Sequence, residues 1–109
     1  MQSLIAEFSA DVPMQDKRRA VRRKLRLDSK VSIAKSTTRV VVLDLSARGM
    51  MIHTETELAV GEAFEVDLPL AGAFEACVIW RRMTLYGCEF RSPIPGAAIS
   101  AALLKARHD

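Results

Sequence analysis

The pattern of apolar and polar positions changes character along the chain. Over residues 1–16 it has no strong period: Leu4, Ile5 and Phe8 make one amphipathic turn, Pro13 interrupts, and the segment reads as a poorly ordered lead-in. From Leu25 the pattern is that of short strands. Leu25, Leu27, Val31 and Ile33, followed by the β-branched run over residues 39–45, read as two strands broken near Ala34-Lys35-Ser36-Thr37. Residues 50–56 resume extended structure, and residues 58–62, with Gly61, turn. Phe64-Glu65-Val66-Asp67-Leu68 alternates with one face wet and one buried. After a turn over residues 69–72, residues 73–82 and 85–91 read as a hairpin, with Tyr86, Cys88 and Phe90 on one face and Glu89 and Arg91 on the other. Pro93 and Pro95 stop the last strand. Beyond them Ile99, Ala102, Leu103 and Ala106 recur at helical spacing, and Lys105, Arg107 and His108 suit a helix C-terminus.

Six short strands and then one helix predict a mainly β fold: a small six-stranded antiparallel β-barrel, closed or nearly so, with a C-terminal α-helix over one end or an open seam. A chain of 109 residues suffices for one such domain. The expected division is a flexible N-terminal segment, residues 1–16, and one domain, residues 17–109, whose barrel covers about 25–92 and whose helix covers about 96–107.

Composition narrows the class. Half the residues are apolar, which argues against global disorder. No stretch approaches the roughly 18 unbroken apolar residues of a membrane span. The N-terminus lacks a basic segment followed by an apolar one, so no secretory signal is expected. Cys77 and Cys88 do not form a CxxC pair, and His53 and His108 are far apart, so neither a metal site nor a disulfide framework is indicated. Two free thiols in a reducing cytoplasm are the expectation.

Charge changes the picture more. Seven of the ten residues from Lys17 to Arg26 are cationic and none is acidic; removing them from the net +3 leaves the rest of the chain at −4. Such an arm seeks oxyanions, because the guanidinium fork is always charged and grips phosphate bidentately. About twenty residues on lies Asp44-Leu45-Ser46-Ala47-Arg48-Gly49, a loop signature of short polar side chains that bond their own backbone and a glycine able to take positive φ.

In these two elements the chain resembles the PilZ family of bacterial receptors for cyclic diguanylate (cyclic di-GMP), whose signature is RxxxR followed by D/N-x-S-x-x-G. Asp44, Ser46 and Gly49 match the second element in full; the first is matched by Arg18 with Arg22, Arg19 with Arg23, and Arg22 with Arg26. The resemblance extends through Val78-Ile79-Trp80 and Gly87-Cys88-Glu89-Phe90, spanning roughly residues 17–92. It implies a non-enzymatic cyclic di-GMP receptor, with no cofactor beyond that ligand, passing its signal to an unidentified downstream protein. Carried over by position, Arg18 and Arg22 form the motif pair, Arg19 adds a phosphate contact, and Asp44, Ser46 and Gly49 complete the site. Arg23 and Trp80 are additional candidates. Val21 departs from the family's frequent proline or other stiffening residue before the second arginine.

The chemistry suits that ligand. Arginine grips phosphate or reaches O6 and N7 of guanine; a carboxylate such as Asp44 accepts from guanine's N–H edge; Ser46 adds a hydrogen bond, and Gly49 permits close backbone approach. An arm closing over the ligand near Asp44 is the implied mechanism. Trp80 has two readings, a stacking surface or a barrel residue sharing the parity of Phe74, Ala76 and Val78. Met50 and Met51 read as core or rim packing, and Arg48 as an exposed turn arginine within reach of a phosphate. Two alternatives remain: an RNA- or single-stranded-DNA-binding barrel, disfavoured by the acidic body and only six aromatics, and a PilZ-like interaction module without nucleotide. No catalytic constellation is visible.

Overall fold

The alternation along the chain is realised as a closed barrel. The computed structural model describes residues 22–106. In β1 (Arg23–Ile33) Leu25, Leu27, Ser29 and Val31 are buried while the residues between them face outward. It is followed by β2 (Ser36–Leu45), β3 (Gly49–His53), β4 (Ala63–Leu68), β5 (Gly72–Arg82) and β6 (Leu85–Phe90). All pairings are antiparallel, in the order β1-β2-β3-β6-β5-β4, with β4 closing on β1. Inward residues from every strand fill the interior, among them Leu27, Val42, Leu45, Ile52, Val66, Leu68 and Val78, all but removed from water. Each contributes about 1.5–3 kcal/mol of transfer free energy, offset by the ordering of the chain.

Helix α1 (Gly96–Lys105) follows Pro95 and buries Ala98 and Ala102. It packs against β1, whose ladder to β4 covers only Lys30 to Ser32. The helix therefore lies on the strand with an incompletely paired side, as a seam-covering helix would.

The main departures from the expected boundaries lie in the first half of the chain. The first break is shorter: only Ala34 and Lys35 turn, with Ala34 at φ 55°, and Ser36 and Thr37 belong to β2, opposite Ile33 and Ser32. The third strand ends at His53, not Thr56, because Thr54 leaves the ladder. Its N–H donates to the Thr84 carbonyl and its hydroxyl to that of Arg39. The arm expected over residues 17–26 is divided, since β1 starts at Arg23; Arg23, Lys24 and Arg26 belong to the barrel wall. Arg18, Arg19 and the lead-in over residues 1–16 lie outside the described residues, as do Arg107 and His108.

The connection from β3 to β4 joins strands that are not barrel neighbours and is held by Tyr86. Its hydroxyl accepts the N–H of buried Leu58 at 3.1 Å and donates to the Thr56 carbonyl at 3.3 Å. Tyr86→Phe keeps the ring in place and strands the Leu58 N–H, so it should destabilise the fold by about 1–3 kcal/mol. Thermal unfolding should show the midpoint falling by several degrees with the far-ultraviolet circular dichroism of the folded state unchanged.

Candidate functional site

Three irregularities in strand register cluster around the two motif elements. On β1, Leu25 and Arg26 stand against Leu43 alone, because Lys24 faces Asp44 and Leu27 faces Val42. On β2, Leu43 is an extra residue relative to β3, where Val42 faces Ile52 and Asp44 faces Met51. On β5, Ile79 is extra relative to β6, where Val78 faces Cys88 and Trp80 faces Gly87. A bulge bends its strand and re-aims the side chains beyond it. Here the consequence is that Asp44 and Trp80 both turn from the interior toward one surface.

On that surface Arg22 Nη1 lies 3.2 Å from Asp44 Oδ1. The arginine side chain is 57% exposed and the carboxylate 13%. A pair this open to water on one side contributes under about 1 kcal/mol, so an incoming ligand can exchange it.

Beside this pair, the turn from Ser46 to Gly49 is closed by its own groups. Ser46 N–H donates to the Gly49 carbonyl at 2.9 Å, the Ser46 hydroxyl donates to the same carbonyl at 3.2 Å, and the Gly49 N–H donates to the hydroxyl at 3.2 Å. Ser46 is almost fully buried, so the hydrogen bond expected from it to a ligand is made inside the turn. Two more of its carbonyls are pinned from outside: Ile94 N–H donates to Ala47 and Phe90 N–H to Arg48.

Gly49 has a different role from the positive φ anticipated, which occurs instead at Gly61 and Gly72 among the described glycines. A Cβ on Gly49 would sit 2.5 Å from the Cys88 carbonyl oxygen. Close approach of β3 to β6 is what requires glycine there.

The two readings of Trp80 resolve toward the surface. Phe74, Ala76 and Val78 point inward or partly so, but the extra residue Ile79 breaks the parity and leaves Trp80 44% exposed. Its indole rests on Gly87, occupying the space a side chain on that residue would need.

Together these residues line one cavity of about 460 Å³: Arg22, Asp44, Arg48, Gly49, Met50, Met51, Ile79, Trp80, Gly87, Cys88 and Glu89. That volume is in the range of small-ligand sites. Arg23 begins β1 opposite Leu45 and does not line the cavity. Sequence reasoning left aside Glu89 and Gly87, and gave Arg48 little weight; the signal for Gly87 was its position across the hairpin from Trp80. A larger depression of about 550 Å³ on the outer faces of β1 and β2, reaching the end of β3 and β4, mixes Asp28, Lys30, Arg39, His53 and Asp67. Opposed charges there do not converge on one ligand chemistry.

Among the described residues, no group of three or more His, Cys, Asp and Glu side chains gathers to hold a metal ion, and no helix is long and apolar enough to cross a membrane. Burial, with a smaller contribution from Cys77, pushes the Cys88 thiol up to about 12. It stays protonated and unreactive through neutral pH. Brief alkylation of the folded protein at pH 7.5 should therefore label the half-buried Cys77 and spare Cys88, with both labelled after denaturation, as read by peptide mass analysis.

Comparison with known proteins places these features. The chain has a similar fold to the PilZ domain with c-di-GMP of YcgR from Escherichia coli, with a TM-score of 0.57 at 21% identity over 83% of this chain and 89% of that one. No curated protein matches it by sequence. The sequence pattern of the PilZ domain matches over residues 16–105. With six barrel strands, both motif elements and the helix inside that span, the chain belongs to the PilZ domain family.

Proposed function

We propose that this domain is a non-enzymatic receptor for cyclic di-GMP, acting in a bacterial cytoplasm and passing its signal to a partner protein. The observation that carries the reading is the convergence of Arg22, Asp44 and Trp80 on one cavity beside the Ser46 turn. The ligand presents two phosphates and two guanines. Arginine serves phosphate or the O6/N7 edge, a carboxylate serves the N–H edge, and an exposed indole supplies a stacking face. Arg18, Arg19 and Arg22 would close over the ligand, with Arg22 exchanging its contact to Asp44 for one to phosphate or base. Gly49 would let the backbone approach, and Ser46 would act by holding the turn in shape. Arg23, at the start of the barrel wall, would add to the local positive field. The altered position of the arm is what a partner would read.

The test compares cyclic di-GMP, cyclic di-AMP and a generic oligonucleotide over a range of salt. Base-specific capture predicts tight, weakly salt-dependent binding of cyclic di-GMP and rejection of cyclic di-AMP, which lacks O6. A basic arm that merely collects nucleic acid predicts affinity falling steeply with salt and indifferent to the base. The second pattern would sink the receptor reading.

A further inference from the structure

The cavity contains two charged side chains that the motif elements do not account for. Arg48 and Glu89 both line it. Both are exposed, and among the described residues neither makes a side-chain hydrogen bond or ion pair. Their backbones are fixed: Glu89 is paired with Gly49 across the β3–β6 ladder, and the Arg48 carbonyl accepts the Phe90 N–H at 2.9 Å. By contrast, Asp44 is engaged by Arg22, and the Ser46 hydroxyl is consumed within its turn. The unengaged polar groups of the cavity are therefore on its β3–β6 side.

A carboxylate beside a dianionic ligand is unfavourable unless it accepts hydrogen bonds from that ligand. Guanine offers such donors in N1–H and the exocyclic 2-amino group, in a spacing that one carboxylate spans. Arg48, next in sequence to Glu89's ladder partner Gly49, offers the matching fork for a phosphate. Resting on the cyclic di-GMP reading above, we propose that Glu89 reads the N1–H and 2-amino edge of a bound guanine while Arg48 holds the adjacent phosphate. This makes Glu89 a specificity-determining residue of the site, on a strand held in the β3–β6 ladder.

The two roles separate in a calorimetric titration of the full chain with cyclic di-GMP and with its inosine counterpart, which lacks only the 2-amino groups. Wild type should prefer the guanine ligand. Glu89→Gln loses the charge-assisted acceptor and presents a donor to a donor, so it should weaken cyclic di-GMP about ten- to a hundredfold and shrink that preference. Arg48→Ala should weaken both ligands by a similar factor, about tenfold, and leave the preference intact. Both substitutions are at exposed positions, and unchanged thermal midpoints confirm that each variant is folded. If the carboxylate only repels the ligand, Glu89→Gln will bind as well or more tightly, which overturns the assignment while leaving the receptor reading standing. Equal binding by Arg48→Ala overturns its phosphate role. A wild-type chain that takes up neither ligand overturns the receptor reading and this inference with it.

Discussion

Asp44→Ala is expected to weaken cyclic di-GMP binding by about 2–3 kcal/mol, or about 30- to 150-fold at 25 °C. The carboxylate is largely covered, 13% exposed, at the point where the bulge on β2 turns it onto the site. It has two partners in sequence over the binding cycle: the Arg22 guanidinium in the free protein and, on the proposed reading, a guanine edge in the complex. Its removal deletes a charged acceptor and leaves an arginine to find another partner. Arg22→Ala should cost a similar amount, and the double variant less than the sum, because the two side chains are in direct contact. Lys105→Ala, at the far end of α1, provides the control and should bind as wild type does. Full additivity of the two losses would mean that Arg22 and Asp44 act on the ligand independently.

The second large effect concerns two glycines, which should fail in different ways. At Gly49 the obstacle to a side chain is the Cys88 carbonyl, a backbone group within the β3–β6 ladder. It cannot move without opening that ladder, so Gly49→Ala should destabilise the whole domain by about 1–3 kcal/mol. At Gly87 the obstacle is the Trp80 indole, a side chain that can swing away toward solvent. Gly87→Ala should therefore cost less stability and mainly displace the indole from the cavity. Trp80 is the chain's one tryptophan, so its fluorescence reports this directly. The emission should shift to the red in Gly87→Ala, while in Gly49→Ala the clearest change is a lower unfolding midpoint. A Gly87→Ala variant with wild-type emission would show that the indole does not rest on this residue.

Much of this architecture was legible in the sequence because alternation is a local signal. Phe64 to Leu68, Leu25 to Val31 and the Tyr86, Cys88, Phe90 face each carry their inward set at a period of two, and the helix follows from Ile99, Ala102 and Ala106. The bulges were not legible, since an extra residue exists only relative to a partner strand. That is why parity alone left Trp80 between two readings: the count from Phe74 through Val78 is correct until Ile79 interrupts it. The hairpin register contained a further clue. A two-residue turn at Met83-Thr84 places Arg82 opposite Leu85 and so, two pairs on, Trp80 opposite Gly87. The motif loop was legible as a loop, but not the distribution of its hydrogen bonds. Ser46 reads as a ligand contact until the three-dimensional turn shows its hydroxyl closed on Gly49. Likewise the basic run reads as one arm, whereas the inward positions of Leu25 and Leu27 recruit its last residues into β1.

On the receptor reading, Arg22, Asp44 and Trp80 surround a guanine dinucleotide in the cavity they line. Calorimetric titration of the folded, reduced chain with cyclic di-GMP at physiological salt tests it most directly. The expected result is a saturable heat that yields both affinity and the number of ligands per chain, accompanied by a change in Trp80 emission. No heat and no spectral change up to high micromolar ligand would contradict it.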